Sequence, residues 1–409
     1  MTLALDLTYD PTDPAVLRNP HELFARIRET EPVHWSPKLK SWIVTGYEDA
    51  TDVLTDAEIF SGDRFRPFRA RLPEKDRATA DEVLRWFNHW MVFTDPPKHT
   101  RLRRHMAAVL NEKVFDTQSQ NVTDVINELA DKLPRGEAFD FFTAFSLWMP
   151  GIIVADLLGV ERDKLLEVKQ WSDDMMTFIG SSRGVTDKYE RARRGANAMG
   201  TYFLDLIEKR RADPKPDVAT MLMDTEVDGE KLNDDELIGC MMMVLNGGHE
   251  TTANLLNNSM LALSSHPDAV ADLRANPDKM ERAVEEFLRY DSPVLSVGRV
   301  VMEETELGGK TLAEGDRVFA MLVGANRDSE IFEDPDQLQI ERSFNPHMAF
   351  GKGPHFCLGT PLARLEGRIA LNAILERFST VELAEPVDDI PWLNSLVTRG
   401  PSRVPVILR

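Results

Sequence analysis

A mostly α-helical fold with small β-sheets is predicted by three observations on this 409-residue chain. Apolar residues recur at helical spacing over long stretches, whereas strand-like stretches are few and short. One segment, 234–264, would alone make a helix of about 31 residues, roughly 46 Å long and able to cross a whole domain. No Gly/Ser linker, low-complexity run or internal repeat marks a join, so residues 1–409 read as one large domain.

In chain order, helical spacing predicts helices at 20–30, 48–55, 97–110, 114–133, 142–158, 162–178, 188–211, 217–225, 234–264, 267–275, 280–290 and 361–378. Strand candidates are 41–45, carrying Trp42, Ile43 and Val44, then 299–302, 311–322 and 404–408. The long helix opens on Asn233, a good N-cap, and Asp234, Asp235 and Glu236 load the positive end of its dipole. Its middle holds Gly247 and Gly248, each weakening a helix by about 1 kcal/mol against alanine. Two explanations stand: close packing against another helix, or space left above a flat cofactor.

Composition narrows the partners. A formal charge of −20 opposes nucleic acid or an anionic membrane as the main partner. The first residues include Asp6, Asp10 and Asp13 and hold neither a signal-peptide core nor a membrane span, so a cytoplasmic protein is expected. Cys240 and Cys357 are the only cysteines, and a reducing compartment without a disulfide fits them.

The segment Phe350-Gly351-Lys352-Gly353-Pro354-His355-Phe356-Cys357-Leu358-Gly359 puts one thiolate-forming side chain in a glycine-punctuated loop ahead of a helical run. One cysteine cannot hold a structural zinc or an iron–sulfur cluster, but it can be the lone protein ligand of a heme iron. Glycines let the loop turn tightly and bring backbone N–H groups to the sulfur, stabilising its charge.

The order Phe-x-x-Gly-x-His-x-Cys-x-Gly resembles the signature of cytochrome P-450, the heme-thiolate monooxygenases, and further motifs follow that family's order from about residue 19 onward. The resemblance implies a cytochrome P-450 fold with heme b (iron protoporphyrin IX) between the long central helix and the cysteine loop. Cys357 would ligate the iron, with Phe350, Gly351 and Gly359 shaping its socket. Heme propionates need cationic or hydrogen-bonding partners. The family pattern assigns them to His99 and Arg103, four apart on one helical face, together with Arg299 and His355. Glu286 and Arg289, three apart, form with Arg342 the family's buried structural network.

Asn246-Gly247-Gly248-His249-Glu250-Thr251-Thr252 resembles the family's oxygen-activation segment. Splitting dioxygen needs protons delivered beside the cofactor, hence an acid next to a hydroxyl. Glu250 would pass protons inward and Thr251 would orient the oxygen; alternatively the Thr251 hydroxyl bonds a carbonyl one turn back. His249 lies about 100° round the helix from Gly248 and is expected to point away from the cofactor if that glycine faces it.

By the same resemblance, substrate would sit under segment 65–93 and against Met243, Gly247, Gly248, Val294 and Val297. Phe65, Phe68, Trp86, Phe87, Trp90, Met91 and Val92 make that lid apolar, favouring a hydrophobic small molecule unless they are simply core. Arg64, Arg66, Arg69 and Arg71 either face water or hold a substrate carboxylate. No flavin or nicotinamide fingerprint occurs, so a ferredoxin-type donor is expected, steered by Arg101, Arg104, Lys113, Lys352, Arg364 and Arg368. The reaction expected is oxygen insertion from O2. A peroxide-dependent heme-thiolate oxygenase and a non-catalytic heme-based sensor are the alternatives. Gly247, where alanine is usual, and Leu338, where an aromatic is common, depart from the family pattern.

Overall fold

The computed structural model describes residues 7–179 and 186–409. Asp234–Ser264 is one unbroken helix whose start is closed by a capping box. Asn233 Oδ1 accepts from the Glu236 N–H (3.1 Å), and Glu236 Oε2 accepts from the Asn233 N–H (3.0 Å). The helix is buried before Met243 and after Thr251, and opens only between, with Gly247 exposed. Helices Trp148–Leu158, Lys188–Ala212, Met280–Tyr290 and Thr360–Arg377 pack around it. Their apolar faces merge into one large core that the central helix threads as an internal strut.

A five-stranded sheet flanks this body in the order Val33–Ser36, Ser41–Val44, Arg317–Ala320, Val297–Val301, Phe60–Ser61. Only Ser41–Val44 and Arg317–Ala320 run parallel. In Val297–Val301, alternation sends Val297 and Arg299 to the same face. Pro405–Leu408 pairs with both Ala138–Asp140 and Val381–Leu383 in a smaller sheet. Among the described residues, no helix is long and apolar enough to cross a membrane.

Three expectations need correction. Segment 65–93 holds two helices, Phe65–Arg71 and Glu74–Phe87. In the second, Ala80, Val83, Leu84 and Phe87 are buried at helical spacing behind Glu74 and Asp76 at its positive end. Segment 311–322 is not one strand: Lys310–Leu312 ends in a turn, with Gly315 at φ +83°, before Arg317–Ala320 begins. Segment 142–158 starts with a π turn at Phe142–Ser146, where the Leu147 N–H reaches the Phe142 carbonyl five residues back (2.8 Å). Pro150, which has no N–H for the ladder, follows directly.

Candidate active site

The cysteine loop is built from its glycines and closed on itself. Gly351 (φ +72°) and Gly353 (φ +66°) take left-handed conformations, and the Cys357 N–H donates to the Phe350 carbonyl (3.0 Å). A Cβ on Gly353 would come within 2.8 Å of the Leu54 carbonyl oxygen, so the loop lies hard against the Tyr47–Thr55 helix. Cys357 is accessible, yet surrounding protein desolvates it; its sulfur therefore lies in a recess rather than on an open surface. Desolvation pushes the thiol up, while the Gly359 N–H, Thr360 and Arg103 pull it down. The sulfur also stands three residues before the start of Thr360–Arg377, where the helix dipole favours an anion. Cys240 is buried in the central helix, its thiol pushed up to about 12 by burial.

Beside this recess lies a set of donors short of acceptors. His99 (2 % exposed) and His355 stand with ring centroids 4.2 Å apart, and Nε2 of each is buried without a hydrogen-bond partner. Arg103 donates through Nη2 to the Phe356 carbonyl (2.7 Å), but its Nη1 is buried and unpartnered. Arg299 is buried and donates to the Gly298 carbonyl (3.1 Å). Desolvation lowers Arg299 to about 10, and desolvation with Arg299, His99 and Arg103 nearby lowers His355 to about 3. Asp95 is the carboxylate that faces Arg299 and His99, and it already accepts from Ser61 Oγ and the Gly62 N–H (2.8 Å). Buried donors in this number call for anionic acceptors, and two carboxylates of a heme fit them.

On the central helix the two glycines divide between the two explanations. A Cβ on Gly247 would meet nothing within 4 Å, whereas one on Gly248 would come 2.7 Å from Val154 Cγ2 on Trp148–Leu158. Gly248 is thus a helix-packing residue and not, as expected, part of a substrate pocket. His249 turns the same way, its Nε2 on the Leu147 carbonyl (2.7 Å) and its ring against Gly151. The Thr251 hydroxyl donates to the Gly247 carbonyl (2.6 Å), one turn back. Glu250 Oε1 accepts from Thr398 Oγ1 (2.7 Å); burial raises this carboxyl and the Thr398 bond partly offsets it.

The remaining predicted residues fall as follows. Glu286 and Arg289, both fully buried, pair through two 2.7 Å bonds, and Arg342 Nε reaches Glu286 Oε2 at 3.1 Å. Gln339 N–H joins on the carboxylate, while Arg289 donates to the carbonyls of Asn326, Pro335 and Gln337. Met243 is the accessible member of its methionine run, Met241 and Met242 being buried. Val294 bridges to Thr398, and Val297 is half-buried. Trp90 stacks with Phe93 and meets Phe87 edge-on, its Nε1 buried without a partner. Trp86 lies against Gly200 and Phe65 against Phe87 and Phe93, as core. Of the lid arginines, Arg69 pairs with Asp81 and Arg71 reaches the Gly315 carbonyl. Arg64 lies over the Phe93 ring, lowered to about 10 by desolvation and by Arg299, with no acid paired to it.

Sequence reasoning missed Glu366, Ser395 and Thr398. Glu366 is buried against the central helix, raised to about 8 by burial despite a bond from Thr252. Its signal was an acid in the apolar stripe Leu362, Glu366, Ala370. Ser395 and Thr398 carry no pattern of their own; only the folding of their loop brings them to Glu250.

Comparison with known proteins agrees with this geometry. The family model described as cytochrome P450 matches residues 20–404. The chain is 35% identical to cytochrome P450 monooxygenase PikC of Streptomyces venezuelae over 396 residues, 95% of this chain and 91% of that protein. It is 32% identical to vitamin D(3) 25-hydroxylase of Pseudonocardia autotrophica, covering 96% and 94%. The crystal structure of P450BioI in complex with hexadec-9Z-enoic acid ligated acyl carrier protein superposes with a TM-score of 0.88 at 32% identity, covering 97% of this chain and 99% of that one. Fold, recess and relatives agree over nearly the whole length, and this chain belongs to the cytochrome P450 family, whose members use heme iron and O2 as monooxygenases.

Proposed function

We propose that residues 1–409 form one heme domain that binds heme b through Cys357. It inserts one oxygen atom from O2 into an apolar organic compound, by hydroxylation or epoxidation, drawing electrons from a separate ferredoxin-type donor in the cytoplasm. One observation carries this reading: an accessible sulfur at a helix start beside four buried donor side chains, three of them with unpartnered nitrogens. When bound, the heme supplies oxygen activation. Cys357 is its axial ligand, and His99, Arg103, Arg299 and His355 hold its propionates.

The chain's own residues do the positioning. Gly247 leaves room beside the helix at the one accessible stretch. Glu250, raised by burial, keeps a proton at pH values where an ordinary carboxyl has lost it, and so serves as the inner acid. Thr251 orients oxygen once its hydroxyl leaves the Gly247 carbonyl. Met243, Val294, Val297 and Trp90 supply apolar wall, and a substrate carboxylate would meet Arg64, the desolvated lid arginine without an acid. In the basic island, Arg101, Arg104 and Arg364 already face Glu236, Asp228 and Glu285, which leaves Lys113 and Arg368 as its exposed charges. The island is therefore weaker than its composition suggests.

The test is spectroscopic. The reduced carbonyl adduct of the purified holoprotein should absorb as a thiolate-ligated heme, and Cys357→His should convert it to an imidazole-type spectrum. A globin-like spectrum in the unmodified protein sinks the proposal. Fatty acids should shift the Soret band at lower concentration than the matching alcohols, and Arg64→Leu should erase that preference by about tenfold. Turnover with peroxide alone, indifferent to a ferredoxin, would favour the peroxide-dependent alternative.

A further inference from the structure

We propose that the hydroxyls of Ser395 and Thr398 form a two-step relay that brings protons to Glu250 from the recess below the N-terminal segment. This rests on Glu250 being the inner acid. Thr398 Oγ1 lies 2.7 Å from Glu250 Oε1, and Ser395 Oγ lies 3.1 Å from Thr398 Oγ1. A hydroxyl has one hydrogen and two lone pairs. Ser395 Oγ accepts from the N–H groups of both Val397 (3.1 Å) and Thr398 (3.1 Å), which fills its lone pairs and leaves its hydrogen to point at Thr398. The Thr398 hydrogen then has Glu250 as its acceptor. The three groups form a wire with one orientation, Ser395 to Thr398 to Glu250.

The wire is rigid and out of bulk water. Ser395 is 4 % and Thr398 6 % exposed. Their loop is pinned to the neighbouring segment by the Val294–Thr398 bridge and by the Leu295 N–H on the Val397 carbonyl (2.8 Å). Beyond Ser395 the wire meets a recess of about 10 Å³, lined by Tyr9, Leu17, Trp392, Ser395 and Thr398 among others. That volume is about what one water needs. Buried nitrogens without partners, Trp392 Nε1 in the recess wall and Asn254 Nδ2 against Gly400, offer such a water its bonds.

The transfer balances without any redox change. A proton from water adds to Ser395 Oγ as the serine hydrogen passes to Thr398 Oγ1 and the threonine hydrogen passes to Glu250 Oε1; rotation of both hydroxyls resets the wire. The charged groups facing Glu250 from the other side are Lys169 and Asp173 of Leu165–Met176. They pair with each other at 2.6 Å, and neither bonds Glu250. Arg399, next to Thr398, is held by Asp291 (2.5 Å) and by the carbonyls of Leu17 and Arg18. The hydroxyl wire is thus the direct connection to the carboxyl.

The experiment uses the holoenzyme with NADH, a ferredoxin and its reductase, and styrene as probe. Thr398→Val and Ser395→Ala should each cut styrene oxide formed per O2 consumed by about tenfold. Both should raise the solvent isotope effect, with the styrene-induced Soret shift unchanged. Infrared difference spectra supply a readout apart from turnover. The protonated-carboxyl band, assigned by its loss in Glu250→Gln, should move to higher frequency and titrate at higher pH in Thr398→Val, and stay in place in Ser395→Ala. Normal coupling in both hydroxyl variants together with impaired Glu250→Gln overturns the relay alone. Loss of coupling in Asp173→Asn with normal Thr398→Val moves the route to the Lys169 side and also overturns it. A Glu250→Gln enzyme with normal coupling removes the acid itself.

Discussion

Two clusters of buried arginine differ in one respect. Around Glu286, every charge is answered: a carboxylate fully out of water takes Arg289 on two bonds and Arg342 on a third, and spare guanidinium hydrogens go to backbone carbonyls. Around Arg299 the same side-chain types stand with imidazoles and orphaned nitrogens, and desolvation weakens rather than strengthens their charge. The first cluster is complete within the protein and ties residues 326–342 to Met280–Tyr290, upstream of the cysteine loop. The second is complete only with anions from outside. Burial alone does not separate a structural charge from a binding one; the balance of donors and acceptors does.

Substitutions sharpen this contrast. The largest effect is expected from Glu286→Ala, which strands two buried guanidiniums and should cost about 3–5 kcal/mol of unfolding free energy in apoprotein and holoprotein alike. Denaturant titration of both forms reads it, and a loss confined to the holoprotein would erase the distinction. Arg299→Gln comes next: heme affinity should fall by about 1.5–3 kcal/mol, seen as faster hemin transfer to apomyoglobin. Apoprotein stability should hold or rise, because an uncompensated charge is gone; an apoprotein loss as large as that of Glu286→Ala would contradict us.

The smallest effect belongs to Glu285, beside the paired cluster. Burial raises this carboxyl, but His347 (3.1 Å) and Arg364 (2.6 Å) outweigh that and hold it at about 2. With the folded value below the ordinary 4.5, its contribution is complete above about pH 4.5 and lost as pH falls toward 2. Glu285→Gln should flatten the acid side of the stability profile, whereas an unchanged acid slope would mean that the pair is idle.

The central helix was legible to the residue at both ends because its information is local: a capping box, three acids and a helical period. The Glu74–Phe87 helix carried an equally local signal, but its aromatics were read as pocket before the spacing of Ala80, Val83 and Leu84 was weighed. Gly248 could not be told from Gly247 in sequence, since what separates them is Val154, contributed by another helix. Ser395 and Thr398 were invisible for the same reason, lying 145 and 148 residues from Glu250 along the chain. The sequence carries element types and single ligands well; which hydroxyl meets which acid is decided by packing.

The seat of Gly353 against the Leu54 carbonyl and the Thr55 backbone has a practical outcome for anyone reshaping this protein. The two segments share one hard wall, so changes at 353 and 55 should not be additive. A mutagenesis library that varies either position alone will mostly sample displaced sulfur, and only paired variation can reset its height.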